Sequence, residues 1–365
     1  MKNLYALSLD QAVNLIAKYG HERTVLLQGH MGCGKSSTLH TLAKMFPDHH
    51  PVYFDCTTKD LGDISIPSLN TDEGYVKYLP NEEFGLHMGK PVLLMVDEFG
   101  KANPSVKNAL LRDMLERTRF PEGSIIYATT NLAGEGVGDL LPPHARNRIT
   151  VVEIAKPKAE DMLTYGINHN WDLGVLGFIK DFPQILQDYR EVNDPDDNPY
   201  IFHPKSQRTA FITPRSLHAA SDLSKLRDDM DDVTLTGALI GTIGERGALD
   251  LMAFLKLADQ LPSLESIKQD PLNAKIPTNS SAVCMVVYRA MSLIDGSWVD
   301  AWMQYLTRLE PSAQALFMSG TARNAKYDQT KASALTTNAR FTKWCMDNGH
   351  VFSGDKVRGD ICLLI

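Results

Sequence analysis

A chain of 365 residues with 43% hydrophobic residues can bury a sizeable core and divide into two or three domains. Its formal charge of −7 gives no strong electrostatic footprint for nucleic acid, which weighs against a general DNA binder without removing it. Five scattered cysteines without CxxC or Cys/His metal spacing, no signal-peptide pattern and no apolar run of about 18 residues predict a reduced, cytoplasmic protein, neither secreted nor membrane-spanning.

From the N-terminus, Ser8 is placed to cap a short helix with Val13, Ile16 and Ala17 inward. Residues 24–27 form a buried-strand candidate that leads into the Gly-rich stretch GHMGCGKSS. Beyond it Leu39, Leu42, Ala43 and Phe46 keep helical spacing, so a helix starts at that loop. Residues 51–56, 92–96, 124–130 and 149–154 supply further strands. Alternation of such strands with helical patterns predicts an α/β domain with a parallel sheet over residues 1–155. Residues 63–80 carry Pro, Gly, Asn and alternating apolar residues, and predict a β-hairpin insert where a crossover helix belongs. Asn103-Pro104 reads as a cap and first-turn proline for a helix burying Val106, Leu110 and Met114.

Lys156-Pro157 marks a boundary. Residues 156–261 turn helical around a long polar loop at 190–212, and residues 262–365 form a further helical region. Within them His203 reads as a loop histidine, and the aromatic stretch 298–306 as helix-core packing. The acidic clusters at 188–197 and 222–232 read as solvated faces.

The chemistry concentrates in the first 155 residues. Gly29, His30, Met31, Gly32, Cys33, Gly34, Lys35 and Ser36, followed by Ser37, satisfy the pattern G-x-x-x-x-G-K-[ST]. Backbone N–H groups of such a loop surround phosphate oxygens, and the glycines allow the backbone to turn and approach. Lys35 would neutralise the β- and γ-phosphates of a nucleotide, and the Ser36 hydroxyl would ligate Mg²⁺. The strand at 92–96 ends in Asp97 and Glu98, suited to hold the metal shell and to polarise an attacking water. Asn131, at the tip of the next strand, can contact the γ-phosphate and that water. Arg146 and Arg148 precede the strand at 149–154, where either arginine could be offered to a neighbour's phosphate. Arg215 opens a helix beyond the boundary.

In this order the motifs resemble the AAA+ ATPases, and most closely their MoxR-type branch. The hairpin at 63–80 sits where that branch carries its helix-2 insert. VDEFGKANPSVKNALLRDMLER is similar to its Walker B segment, LLPPHARNRI to its LPxAxxDRF segment, and TPRSL to its sensor 2. The resemblance spans about residues 8–260. Departures are Met31 for Pro and Cys33 for Thr in the phosphate loop, and Asn147 where the family has Asp, which leaves the choice between the two arginines open.

The resemblance implies a P-loop AAA+ core followed by a helical lid, with Lys35 and Ser36 as Walker A, Asp97 and Glu98 as Walker B, and Asn131 as sensor 1. It implies Arg148, then Arg146, as the trans-acting finger and Arg215 as sensor 2. It further implies ATP and Mg²⁺, a homo-oligomeric ring, expected to be hexameric, and a protein client. The branch's frequent von Willebrand A-type partner would be a separate polypeptide, because no DxSxS site occurs in this chain. Remodelling of a partner protein is the leading expectation. The alternatives are a nucleic-acid motor or loader on the same core, and a nucleotide-dependent scaffold with little turnover.

Overall fold

A computed structural model describes residues 6–136, 141, 145, 147–324 and 328–348. The chain divides into two compact units, residues 1–157 and 158–365, each described by itself.

The first unit is built on a six-stranded sheet. Its strands are β1 (Ala6–Leu7), β2 (Val25–Gly29), β3 (His50–Asp55), β6 (Val92–Asp97), β7 (Ile125–Thr130) and β8 (Thr150–Ile154). Between β3 and β6 the chain forms a separate pair, β4 (Ser65–Asn70) and β5 (Tyr75–Pro80). The sheet order is β1-β8-β2-β7-β6-β3, and every pairing in it is parallel. All six carboxyl ends therefore open on one edge, where α/β sheets bind ligands.

The central strands β2, β6 and β7 begin with apolar runs because both sheet faces are covered there. Leu26, Leu94, Val96, Ile126 and Ala128 point to one face, against Val106, Leu110 and Met114 of α3 (Pro104–Glu116). Val25, Leu27, Leu93, Met95, Ile125 and Tyr127 point to the other. They meet Ala12, Val13 and Ile16 of α1 (Leu9–Tyr19) and Leu42 of α2 (Thr38–Met45). Strand alternation thus splits one sheet into two cores.

The caps lie where local chemistry puts them. Ser8 and Gln11 form a reciprocal capping box on α1, and Asn103 caps α3 with Pro104 in its first turn. The edge strand β1 has only two residues, too few for any periodicity to signal.

Residues 65–80 form an antiparallel hairpin pairing Ile66 with Leu79 and Leu69 with Val76. Its turn contains Gly74 at φ +72°, a left-handed conformation that glycine adopts without a Cβ clash. The hairpin leaves Leu69 77% and Tyr78 69% exposed.

The second unit is helical. Its helices include α4 (Ala159–Asn168), α5 (Leu173–Asp181), α6 (Pro214–Lys225), α7 (Asp232–Ile243), α8 (Glu245–Ala258), α9 (Leu264–Gln269), α10 (Ser280–Leu293) and α11 (Val299–Leu306). Helices from both sides of residue 262 contribute to one core, with Phe178 and Leu251 on one side and Val287 and Trp302 on the other. Trp298, Trp302, Met303, Tyr305 and Leu306 are all buried there, so the aromatic stretch is packing.

Residues 190–212 contain only short 3₁₀ turns, yet they are anchored into that core. Tyr200, Ile201 and Ile212 are buried, and Arg208 donates to the carbonyls of Pro195, Asn198 and Ile201. His203 is buried. Its ring bonds the Val192 carbonyl, and its Nδ1 accepts from the Lys205 N–H. A polar-looking loop can therefore be ordered by burying its few apolar residues and satisfying its backbone. Among the described residues no helix is long and apolar enough to cross a membrane.

Candidate active site

The phosphate-loop segment connects β2 to α2, with a single 3₁₀ turn at Lys35–Ser37 before the α-helix proper. Gly34 has φ +91°, a conformation that would strain any side chain, and its Cβ would also press on Leu9. Thr38 ties the helix start to the sheet: its hydroxyl donates to the Lys35 carbonyl and lies 3.2 Å from the Tyr127 hydroxyl.

Lys35 is buried, and its ammonium makes three hydrogen bonds. It donates to the carbonyls of Gly29 and His30, both at 2.8 Å, and to Asn131 Oδ1 at 2.9 Å. The loop is thus already curled around its own lysine. A charge held by fixed dipoles in a nearly dry setting interacts strongly with an incoming anion.

Strand order explains why Asn131 reaches Lys35. Strand β7 lies between β2 and β6, so the residue that follows it stands between the loop and the end of β6. Asn131 Nδ2 lies 3.3 Å from both carboxylate oxygens of Glu98. One amide therefore bridges the loop lysine and the candidate base. Glu98 itself adopts φ +53°, an uncommon left-handed conformation for a residue with a side chain. It also pairs with Lys101 at 3.0 Å.

Asp97 closes β6 and is buried. Its Oδ2 accepts from the Ser36 hydroxyl at 2.9 Å and from the Tyr53 hydroxyl at 2.8 Å. Its Oδ1 accepts from the Thr129 hydroxyl and from the Glu98 N–H. Burial, and then the bonded Asp97 carboxylate, hold the Tyr53 hydroxyl protonated well above the ordinary tyrosine range.

The donor set fits Mg²⁺. A hydroxyl and a carboxylate in mutual contact offer hard oxygens to one small cation, which keeps several waters and takes few protein ligands. Among the described residues no group of three or more His, Cys, Asp or Glu could hold a metal, so Ser36 and Asp97 would act together with phosphate and water oxygens.

The sequence-predicted residues divide by position. Gly29, His30, Lys35, Ser36, Asp97, Glu98 and Asn131 converge on the carboxyl edge of the sheet. Arg148 is exposed in the turn before β8. Its N–H bonds the Ala145 carbonyl, and among the described residues no hydrogen bond or ion pair links its side chain to the site. Arg146 lies outside the described residues. Arg215 belongs to the second unit. It is exposed at the second position of α6, whose cap is a reciprocal Thr213–Ser216 pair.

Two further residues on Asp97 went unrecognised in the sequence, although strand geometry signals both. Thr129 lies two residues before Asn131 and so faces the same side of β7. Tyr53 is in register with Met95, which makes Asp97 its diagonal neighbour on that face, within reach of a long aromatic side chain. A third, Glu135, carries no such signal and is considered below.

Cys33 is only 2% exposed, and burial raises its thiol above the ordinary range, partly opposed by the Lys35 charge. Its alkylation by iodoacetamide in the folded protein at pH 8 is expected to run at least about tenfold slower than that of free cysteine. Peptide mass spectrometry reads this directly. Alkylation at the free-thiol rate would show that the loop opens readily.

No family model matches the chain. No curated protein matches it either. Among solved structures it is similar to a Cytophaga hutchinsonii protein described as an ATPase candidate. The identity there is 13% and the TM-score 0.33, over 66% of this chain and 83% of that one. It is also similar to the Thermotoga maritima RuvB Holliday junction branch migration motor. That match has 14% identity and a TM-score of 0.35, over 73% of this chain and 75% of the other.

Proposed function

We propose that the chain is a Mg²⁺-dependent AAA+ ATPase of MoxR type that assembles into a ring, expected to be hexameric, and remodels a partner protein. The observation that carries the enzymatic part is the bridge Lys35–Asn131–Glu98 beside the Ser36–Asp97 contact. Phosphate binding, metal binding and a carboxylate base meet there at one sheet edge. Lys35 and the loop N–H groups hold the β- and γ-phosphates. Ser36 and Asp97 hold the ion, which when bound offsets phosphate charge.

Glu98 takes a proton from a water whose oxygen attacks the γ-phosphorus. The bond from that phosphorus to the β–γ bridging oxygen breaks, and ADP leaves with the electron pair. Asn131 keeps Glu98 in line with the phosphate that Lys35 grips. An arginine from the neighbouring chain, Arg148 or Arg146, completes the charge balance, and Arg215 is read as sensor 2.

The exposed hairpin supports a protein client over a polyanion. It presents Ile66, Leu69, Val76, Tyr78 and Leu79, with Lys77 as the one basic residue between 65 and 80. A separate von Willebrand A-type protein is one such client.

Turnover per chain is expected to rise steeply with protein concentration and to track ring assembly measured by sedimentation. Full-rate hydrolysis by a dilute monomer would overturn the ring mechanism. ATPase stimulated by DNA, with a steep salt dependence, would replace the protein client by nucleic acid.

A further inference from the structure

The phosphate loop is gripped at two points by the segment that follows β7. One is the Asn131 contact with Lys35. The other is Glu135, in the short turn Ala133–Glu135, which is buried with 1% of its side chain exposed. Its Oε1 lies 3.0 Å from His30 Nδ1, and its Oε2 accepts from the Met31 N–H at 2.8 Å. These contacts join residues more than a hundred positions apart.

A buried carboxylate next to a site for phosphates is costly twice over, in lost hydration and in repulsion of the ligand. Such a group persists where the hydrogen bonds it makes offset those costs. Here it satisfies a ring nitrogen and a backbone N–H in the first half of the loop, while Asn131 holds the second half.

We propose that Glu135 is a positioning residue that holds the phosphate loop in its curled, anion-ready shape, and that it sets the affinity for the diphosphate part of the nucleotide. The proposal rests on the nucleotide reading above. Because the loop grips phosphates common to ADP and ATP, losing Glu135 weakens both alike. This separates it from Glu98, which acts on turnover. The organising element is the five-residue stretch from Asn131 to Glu135, one end on the lysine and the other on the loop's entry.

The test compares wild type, Glu135→Ala and Glu135→Gln in two measurements: amide hydrogen exchange at Met31, and calorimetric Kd for ADP and for ATP without metal. In Glu135→Ala, Met31 exchange is expected to accelerate, and both Kd values to rise together by about tenfold. Glu135→Gln keeps an oxygen that accepts from the Met31 N–H and should recover most of both effects. Should Glu135→Ala fail to fold, Glu135→Asp withdraws the carboxylate by about 1.5 Å and is expected to reproduce its effects.

Unchanged Met31 exchange in the variant that folds overturns the proposal. So does unchanged ADP affinity despite faster exchange. If wild type binds neither nucleotide, the nucleotide reading falls, and the loop-holding role is decided by Met31 exchange alone.

Discussion

Glu98→Gln is expected to bind ATP about as tightly as wild type and to hydrolyse it at least about a hundredfold more slowly. The substitution preserves size and one acceptor oxygen, so the contact from Asn131 Nδ2 can persist and the lysine bridge with it. What disappears is the carboxylate proposed to take the proton from water. Asp97 and Ser36 are untouched, and so are the groups proposed to hold the metal and phosphates. Single-turnover phosphate release and equilibrium nucleotide binding separate the two effects. Wild-type turnover in this variant would remove Glu98 from the chemistry. A parallel loss of binding would show that Glu98 mainly braces the site through Asn131 and Lys101.

Arg148→Ala is expected to lower turnover by about a thousandfold or more while nucleotide affinity holds, since a trans-acting arginine acts on charge that spreads in the transition state. Its position supports that role. Arg148 stands exposed in the turn before β8, anchored by its backbone to Ala145 and followed by the buried Ile149. An exposed arginine whose side chain has no bond to its own site among the described residues is consistent with the proposed role at a neighbour's site. Mixing decides the matter. Chains carrying Arg148→Ala retain Glu98, and chains carrying Glu98→Gln retain Arg148. A mixed ring therefore contains some complete sites, and part of the turnover should return. No recovery on mixing, with assembly intact, would place Arg148 outside the reaction and leave Arg146 as the candidate.

Much of the first unit was legible in the sequence because the signals are local. The Ser8 and Asn103 caps depend on contacts two or three residues apart. The strands at β3, β6, β7 and β8 announce themselves through apolar runs ended by polar residues, and the hairpin through its turn chemistry. Helix α2 was legible from Leu39 and Leu42, although the first turn after Gly34 tightens into 3₁₀ geometry. The stretch 190–212 was less legible. Its polar composition hid the fact that Tyr200, Ile201 and Ile212 carry it into the core, and burial depends on residues far along the chain.

The candidate site divides along the same line. The loop from Gly29 to Ser37 and the pair Asp97-Glu98 are contiguous residues whose types state their chemistry. The sequence by itself determined those groups, because phosphate cradles and strand-end carboxylates are built from neighbours in the chain. Only the tertiary structure decided what they touch. Inserting β7 between β2 and β6 placed Asn131 between Lys35 and Glu98, set Thr129 against Asp97, and brought Glu135 onto the loop. Strand order and register arise from packing both faces of the sheet at once, over separations of forty to a hundred residues. No local pattern encodes that.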